Sequence, residues 1–242
     1  MVGMSLNAMK ELIDNLEGAI INLKLSEEKT VWNTYYSDNN NYSLKAMNSK
    51  KSIVKKYLSQ IKPKLVWDAG SNDGMFSKIS SEGGALTLSF DNDYAVVEKN
   101  YSNVKKAEDK NILPLFIDLV KPSPALGWNN SERESFLERS FPDAILALAL
   151  IHHLAIANNL PLPMLAEFFV GHCRNLVIEF VPKEDSQVKL LLAAREDIFP
   201  DYNIESFEKT FSEYFVIKEK SKVAKSDRTI YLMRSKMRYE KD

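Results

Sequence analysis

Apolar residues recur at helical spacing from Leu6 through Met9, Leu12, Ile13, Leu16, Ile20, Ile21 and Leu23, with Asn, Glu and Lys between them. The first 25 residues therefore read as an amphipathic helix. A second helical face (Met47, Ile53, Val54, Tyr57, Leu58, Ile61) fills Ser43 to Ile61, and Pro63 closes it. The period then shortens. Leu65-Val66-Trp67 fits a buried strand, Met75, Phe76 and Ile79 a helix, Ala85 to Phe90 a second strand, Tyr94 to Tyr101 a helix, and Asn111 to Ile117 a third strand. Ala144 to Ile151 is apolar at every position and too short for an ordinary amphipathic helix. It reads as the central strand of a sheet covered on both faces. Pro163 to Phe169 (helix), Cys173 to Phe180 (strand), Gln187 to Ala194 and Ser206 to Glu213 (helices), and Tyr214 to Ile217 and Thr229 to Met233 (strands) follow. Strand and helix alternate, then a hairpin closes the chain. This order predicts an α/β fold with a mostly parallel sheet and an antiparallel edge.

Two stretches break the alternation. Thr30 to Tyr42 is rich in Asn and carries Trp32, Tyr35, Tyr36 and Tyr42. Asn marks a loop, but four large aromatics suit a segment folded over something: either a ligand pocket or the core to which an N-terminal arm is pinned. Leu119 to Arg133 holds two prolines, a glycine and Trp128, and reads as a constrained excursion that could wall a substrate site. Ser131-Glu-Arg-Glu could instead open a helix with a capping box.

Composition narrows the partners more than the fold. A net charge of −1 supplies no global field toward nucleic acid or anionic membrane. The single cysteine, Cys173, excludes an internal disulfide and offers no thiolate cluster, so no metal site is expected. The start of the chain lacks a sustained apolar stretch and the longest apolar run is too short to span a bilayer, so a cytoplasmic location is expected.

The candidate chemistry gathers where β-prone segments end. After Leu65-Val66-Trp67 comes Asp68-Ala-Gly70-Ser71-Asn72-Asp-Gly74, immediately before a helix start. Strand, glycine turn and helix in that order make an anion- and ligand-binding edge, where free N–H groups of the helix face the ligand. The spacing is not G-x-G-x-x-G, so a dinucleotide is disfavoured. Two Tyr-x-x-x-Lys pairs, Tyr101/Lys105 and Tyr214/Lys218, do not follow the central strand as a dehydrogenase would require. The pattern Asp-x-Gly-x-x-x-Gly resembles the first motif of class I S-adenosylmethionine-dependent methyltransferases. It departs from that motif at Asn72, where the family has glycine. Asn tolerates left-handed backbone, so the turn can survive the exchange. Asp91, followed by Asn92, ends the second strand about 20 residues on, where a carboxylate can accept from ribose hydroxyls. A solvated strand-end carboxylate is the alternative. Asp118, followed by Leu119, ends the third strand, where the resemblance implies a contact with adenine. His152 and His153 follow the central strand and are candidates for a general base, or for core histidines.

Beyond these motifs, Asp118-Leu-x-x-Pro-Ser-Pro-x-x-Gly-Trp-x-x-x-Glu-Arg with Leu-Ala-Leu-Ile-His-His-Leu resembles the methyltransferase-like domain of nodulation-protein (NoeA-type) relatives, over about Val31 to Arg234. The resemblance implies a Rossmann-like seven-stranded class I methyltransferase fold with a terminal antiparallel hairpin, and S-adenosylmethionine as cofactor. Residues 1–50 are then an N-terminal helical arm with an aromatic lid, and 51–242 the cofactor-binding domain. In this reading Gly70, Ser71, Asn72 and Gly74 hold the methionine part, Asp68 helps order the turn and the amino group, Asp91 takes the ribose and Asp118 the adenine, and Asn92 and Leu119 also belong to the cofactor site. Trp32, Tyr35, Tyr36, Tyr42 and Trp128 wall an acceptor pocket. A small-molecule acceptor suits the neutral surface. A nucleic-acid or protein acceptor, or a cofactor-binding module without catalysis, are the other readings.

Overall fold

The computed structural model describes residues 4–23, 43–193 and 195–237. In chain order the elements are α1 (Leu6–Ile21), α2 (Leu44–Ile61), β1 (Leu65–Ala69), α3 (Met75–Glu82), β2 (Leu86–Asp91), α4 (Tyr94–Ala107), β3 (Ile112–Phe116), β4 (Ala144–Ala147), α5 (Leu162–His172), β5 (Asn175–Phe180), α6 (Ser186–Ala193), α7 (Ile204–Tyr214), β6 (Phe215–Lys222) and β7 (Thr229–Ser235).

The strands form one seven-stranded sheet of order β3-β2-β1-β4-β5-β7-β6. Pairing is parallel from β3 through β5, and β7 runs antiparallel to both β5 and β6. Alternation of side chains along each strand divides the core in two. Val66, Leu146, Val177 and Ile230 point to one face, under Val54, Tyr57 and Leu58 of α2 and Phe76 of α3. Trp67, Ile145, Ile178 and Tyr231 point to the other, under Leu165 and Phe169 of α5 and Phe207 and Phe211 of α7. Pro114 sits in β3, which among the described residues pairs with β2 alone, so its missing N–H costs no inner ladder bond. The edge strand β6 alternates buried and exposed positions and carries lysines outward, which protects a free edge.

Helix α2 is capped by Ser43, whose hydroxyl accepts from the Ala46 N–H at 3.2 Å. It runs unbroken through residue 50, where the arm was expected to end, and already buries Ala46 and Lys50. Helix α1 buries none of its residues.

Two sequence expectations fail locally. The apolar run from Ala144 is not one strand to Ile151. β4 stops at Ala147, Ala149 adopts φ 52, and the chain turns helical at Ile151, with a π-helical turn at His153–Ala157. A left-handed residue cannot continue a ladder, and an uninterrupted apolar pattern gives no sign of it. Nor does Ser131 start a helix. The Ser131 hydroxyl donates to the Trp128 carbonyl at 2.6 Å, and Glu132 Oε1 accepts the Trp128 N–H at 3.0 Å. These groups close a short 3₁₀ turn at Trp128–Asn130 in place of a capping box.

Candidate functional site

The order of a doubly wound sheet reverses between β1 and β4, and ligands bind outside the carboxyl ends of the strands at such a point. A cavity of about 300 Å³ opens there. One wall comes from β1, β2 and β3: Gly70, Asn72, Phe90, Asp91, Asn92, Ile117, Asp118, Leu119 and Val120. The other comes from the segment after β4 (Leu148, Ala149, Leu150, His153, Leu154, Ala157, Asn158) and from Leu191.

The first wall is built by the glycine turn. Gly70, Asn72 and Gly74 have φ of 70, 50 and 82, so Asn72 takes the left-handed conformation expected of the residue replacing a glycine. The N–H groups of Gly70 and Ser71 both donate to the Phe90 carbonyl, at 2.9 and 3.0 Å, and fasten the turn to β2. Asp91 fastens it a second time, since Oδ2 accepts the Asn72 N–H at 2.9 Å and Oδ1 the Asp93 N–H at 3.1 Å. Burial nonetheless raises the Asp91 pKa, against these backbone hydrogen bonds. Neither glycine has room for a side chain. A Cβ on Gly70 would lie 3.1 Å from Leu150 Cδ1 across the cleft, and one on Gly74 would lie 2.1 Å from Asn100 Oδ1. The buried Ser71 hydroxyl in this turn has no hydrogen-bond partner.

Asp68 does not line the cavity. It is buried beneath the turn, where the Ser77 hydroxyl of α3 donates to its Oδ2 at 2.6 Å. Ser77 lies 2.7 Å from the Ser89 hydroxyl, which accepts from Asn100 Nδ2 at 2.7 Å. This polar string ties β1, α3, β2 and α4 together under the glycines. Burial pushes the Asp68 pKa up to about 6, opposed by the Ser77 hydrogen bond and helped by the charge of Asp91. Asp118 Oδ1 accepts the Val120 N–H at 2.9 Å and so shapes the end of β3.

The two histidines diverge. They are consecutive on a helical turn, so they cannot share a direction. His153 lines the cavity, and His152 points into the interior, fully buried, with both ring nitrogens lacking hydrogen-bond partners. Their ring centroids are 4.0 Å apart. Burial, then the positive charge of Arg228, lowers the His153 pKa to about 4. Burial first, then His153, Arg228 and Lys50, lowers that of His152 well below the usual value. Behind them, Lys50 Nζ pairs with Glu179 at 2.6 Å, both fully buried, and Arg228 grips Asp185 through Nε and a terminal nitrogen at 2.7 and 2.9 Å. These pairs join α2, β5 and the turn before β7, and they place positive charge near both rings.

Trp128 is 86% exposed on the excursion and does not line the cavity. The aromatics Trp32, Tyr35, Tyr36 and Tyr42 lie outside the described residues. Among the described residues there is no group of three His, Cys, Asp or Glu side chains able to hold a metal, and no helix long and apolar enough to cross a membrane. Sequence reasoning missed Phe90, Ile117 and the Leu148 to Leu150 wall. The first two are apolar residues beside predicted strand ends, a position that could have pointed to them. No sequence pattern marks the left-handed Ala149.

A seven-stranded sheet of this order, with a glycine turn after β1 and a reversed β7, is the class I methyltransferase fold, and solved structures bear this out. N-methyltransferase NodS from Bradyrhizobium japonicum WM9 matches 78% of this chain and 96% of its own at 12% identity and a TM-score of 0.56. Magnesium protoporphyrin IX methyltransferase (ChlM) from Synechocystis PCC 6803, solved with bound SAH, matches 84% of this chain and 92% of its own at 17% identity and a TM-score of 0.57. In sequence the chain is similar to Nodulation protein NoeA of Rhizobium meliloti (strain 1021), 38% identical over 227 residues, 93% of this chain. It spans about half of that protein, 47% of its length. No protein-family model matches the chain.

Proposed function

We propose that this chain is an S-adenosylmethionine-dependent methyltransferase acting on a small-molecule acceptor. The observation that carries the reading is the glycine turn at the switch point, held open by left-handed Gly70, Asn72 and Gly74 and tied by Asp91 to the end of β2. The cavity fits the cofactor on two counts. The side of Gly70 is bare where a Cβ would meet Leu150, and Asp91 presents a carboxylate at the cavity wall, able to accept from a ribose hydroxyl. NodS and ChlM, which share the fold, are named as methyltransferases and have been solved with S-adenosylhomocysteine.

Gly70, Ser71, Asn72 and Gly74 would hold the methionine part, with Asp68 bracing the turn from below. Asp91 and Asn92 would take the ribose, and Asp118 and Leu119 the adenine, with Phe90 and Ile117 as apolar surface. When bound, the cofactor supplies an electrophilic methyl group. The protein's part is to orient a nucleophile toward it and exclude water. His153 is the base in this reading. With its pKa lowered to about 4 its imidazole is neutral at physiological pH, the form in which a ring nitrogen can accept a proton. His152 is too deep to reach an acceptor. Trp32, Tyr35, Tyr36 and Tyr42 remain proposed walls of the acceptor site, and a cytoplasmic location belongs to the same reading.

Incubation with methyl-labelled S-adenosylmethionine and size-fractionated cell extract tests this. Label passing into the small-molecule fraction supports the proposal. Label retained in protein or nucleic acid contradicts the acceptor class, and no transfer to any fraction contradicts the activity.

A further inference from the structure

We propose that α1 is a self-association element whose apolar seam pairs antiparallel with the same seam of a second copy of this chain. Within α1 the apolar residues Leu6, Met9, Ile13, Leu16 and Ile20 follow intervals of three and four, the spacing of a two-stranded coiled-coil seam, while Leu12 and Ile21 lie beside it. Each of the five is between 47% and 69% exposed. The helix is closed by its own local bonds. Ser5 Oγ accepts from the Ala8 N–H at 3.2 Å, and Asn22 Nδ2 donates to the Gly18 carbonyl at 2.8 Å. A helix of 16 residues that buries none of them is marginal in water and needs a packing partner.

The residues beside the seam select the partner and its direction. Lys10 and Glu17 flank one side, and Leu12 and Ala19 the other. Antiparallel pairing puts Met9 opposite Ile20 of the second copy and Ile13 opposite Leu16, and leaves Leu6 beside Leu23, which lies past the end of the helix. In that register Lys10 of each copy faces Glu17 of the other, once on each side of the two-fold axis, and Leu12 meets Ala19 on the apolar side. Parallel pairing would set Leu12 against Glu17 and Ser5 against Lys10, with no complementary charge. A self-complementary patch of this kind closes as a two-fold dimer and stops there. A helix of just over two heptads makes a short seam, so the dimer is expected to exchange with monomer.

Sedimentation equilibrium of the full 242-residue chain, over micromolar to near-millimolar concentration, tests the proposal. The expected result is a monomer–dimer equilibrium that Ile13→Glu with Leu16→Glu abolishes while the thermal midpoint of the body stays unchanged, since α1 buries nothing. Lys10→Glu is expected to weaken the dimer about ten-fold by replacing two attractive contacts with repulsive ones. Adding Glu17→Lys should restore it. A single Leu6→Cys should resist oxidation to a covalent dimer, because the two positions lie at opposite ends of the seam. A chain that is monomeric throughout, or a dimer untouched by the double glutamate variant, overturns the proposal. Restoration failing, or ready cross-linking at Leu6, overturns the antiparallel direction.

Discussion

The two walls of the cleft are built by different means. The wall from β1, β2 and β3 is rigid by construction: three left-handed residues, two N–H groups on one carbonyl, and a carboxylate that accepts from both the turn and the next helix. The wall after β4 has no such ladder. It hangs on a left-handed alanine, a π-helical turn and a buried histidine whose ring nitrogens find no partner. The first arrangement suits a ligand of fixed shape. The second carries local strain of the kind found where a site is specialised.

Substitutions separate the two walls, beginning with the largest expected effect. Gly70→Val combines a φ of 70 with a Cβ 3.1 Å from Leu150, so it should cost about 2–4 kcal/mol of stability and remove cofactor binding. Urea unfolding and calorimetry read the two effects. Ordinary binding in this variant would place the pocket elsewhere. Asp91→Ala leaves backbone N–H groups of the turn and of the start of the next helix without their acceptor and should lower stability by about 2–3 kcal/mol as well as affinity. Asp91→Asn keeps one acceptor oxygen and should recover much of the stability without the affinity. If both variants bind normally, the ribose role is wrong.

Under the first wall, Asp68 binds its proton more tightly folded than unfolded, because burial holds its pKa at about 6 against 3.8. Its contribution is therefore present in acid and lost as pH rises from about 4 to 6. His153, lowered to about 4 from 6.5, works in the opposite sense, and its contribution grows over about pH 4 to 6.5. In the wild-type chain Asp91 acts in the same sense as Asp68, and His152 in the same sense as His153. Asp68→Asn should show stability rising with pH, gaining about 2–3 kcal/mol on the wild type by pH 7. Parallel curves for the two proteins would refute the buried-carboxylate account.

In the second wall, His152→Leu removes two unsatisfied buried nitrogens and should leave stability equal or raise it by about 1 kcal/mol. Turnover should persist. A folded His152→Leu variant without turnover would return the base role to His152.

The same contrast explains what could be read from the chain. The first wall was legible because each part is local. A short apolar run ends in Asp68, Gly70 and Gly74 mark a turn, and Met75-Phe76 begin a helix, so neighbours in sequence are neighbours in space. Asp91 and Asp118 were found by the same rule, as polar residues ending β-prone segments. The histidine pair was placed at the correct edge, but a strand continued to Ile151 could not tell the ring in the cleft from the one in the core. That distinction rests on one helical step of rotation after Ala149, and on Arg228 and Lys50 arriving from distant parts of the chain. The charged pairs under the cleft were invisible for the same reason, since Lys50 on α2 and Glu179 on β5 meet only in the folded chain.

The most direct test of the central claim is calorimetric titration of the chain with S-adenosylmethionine, S-adenosylhomocysteine and NAD side by side. The account predicts that the first two bind at one site, that Gly70→Val abolishes both, and that NAD gives no heat. Binding of NAD alone, or of none of the three, would contradict it and leave the glycine turn as architecture.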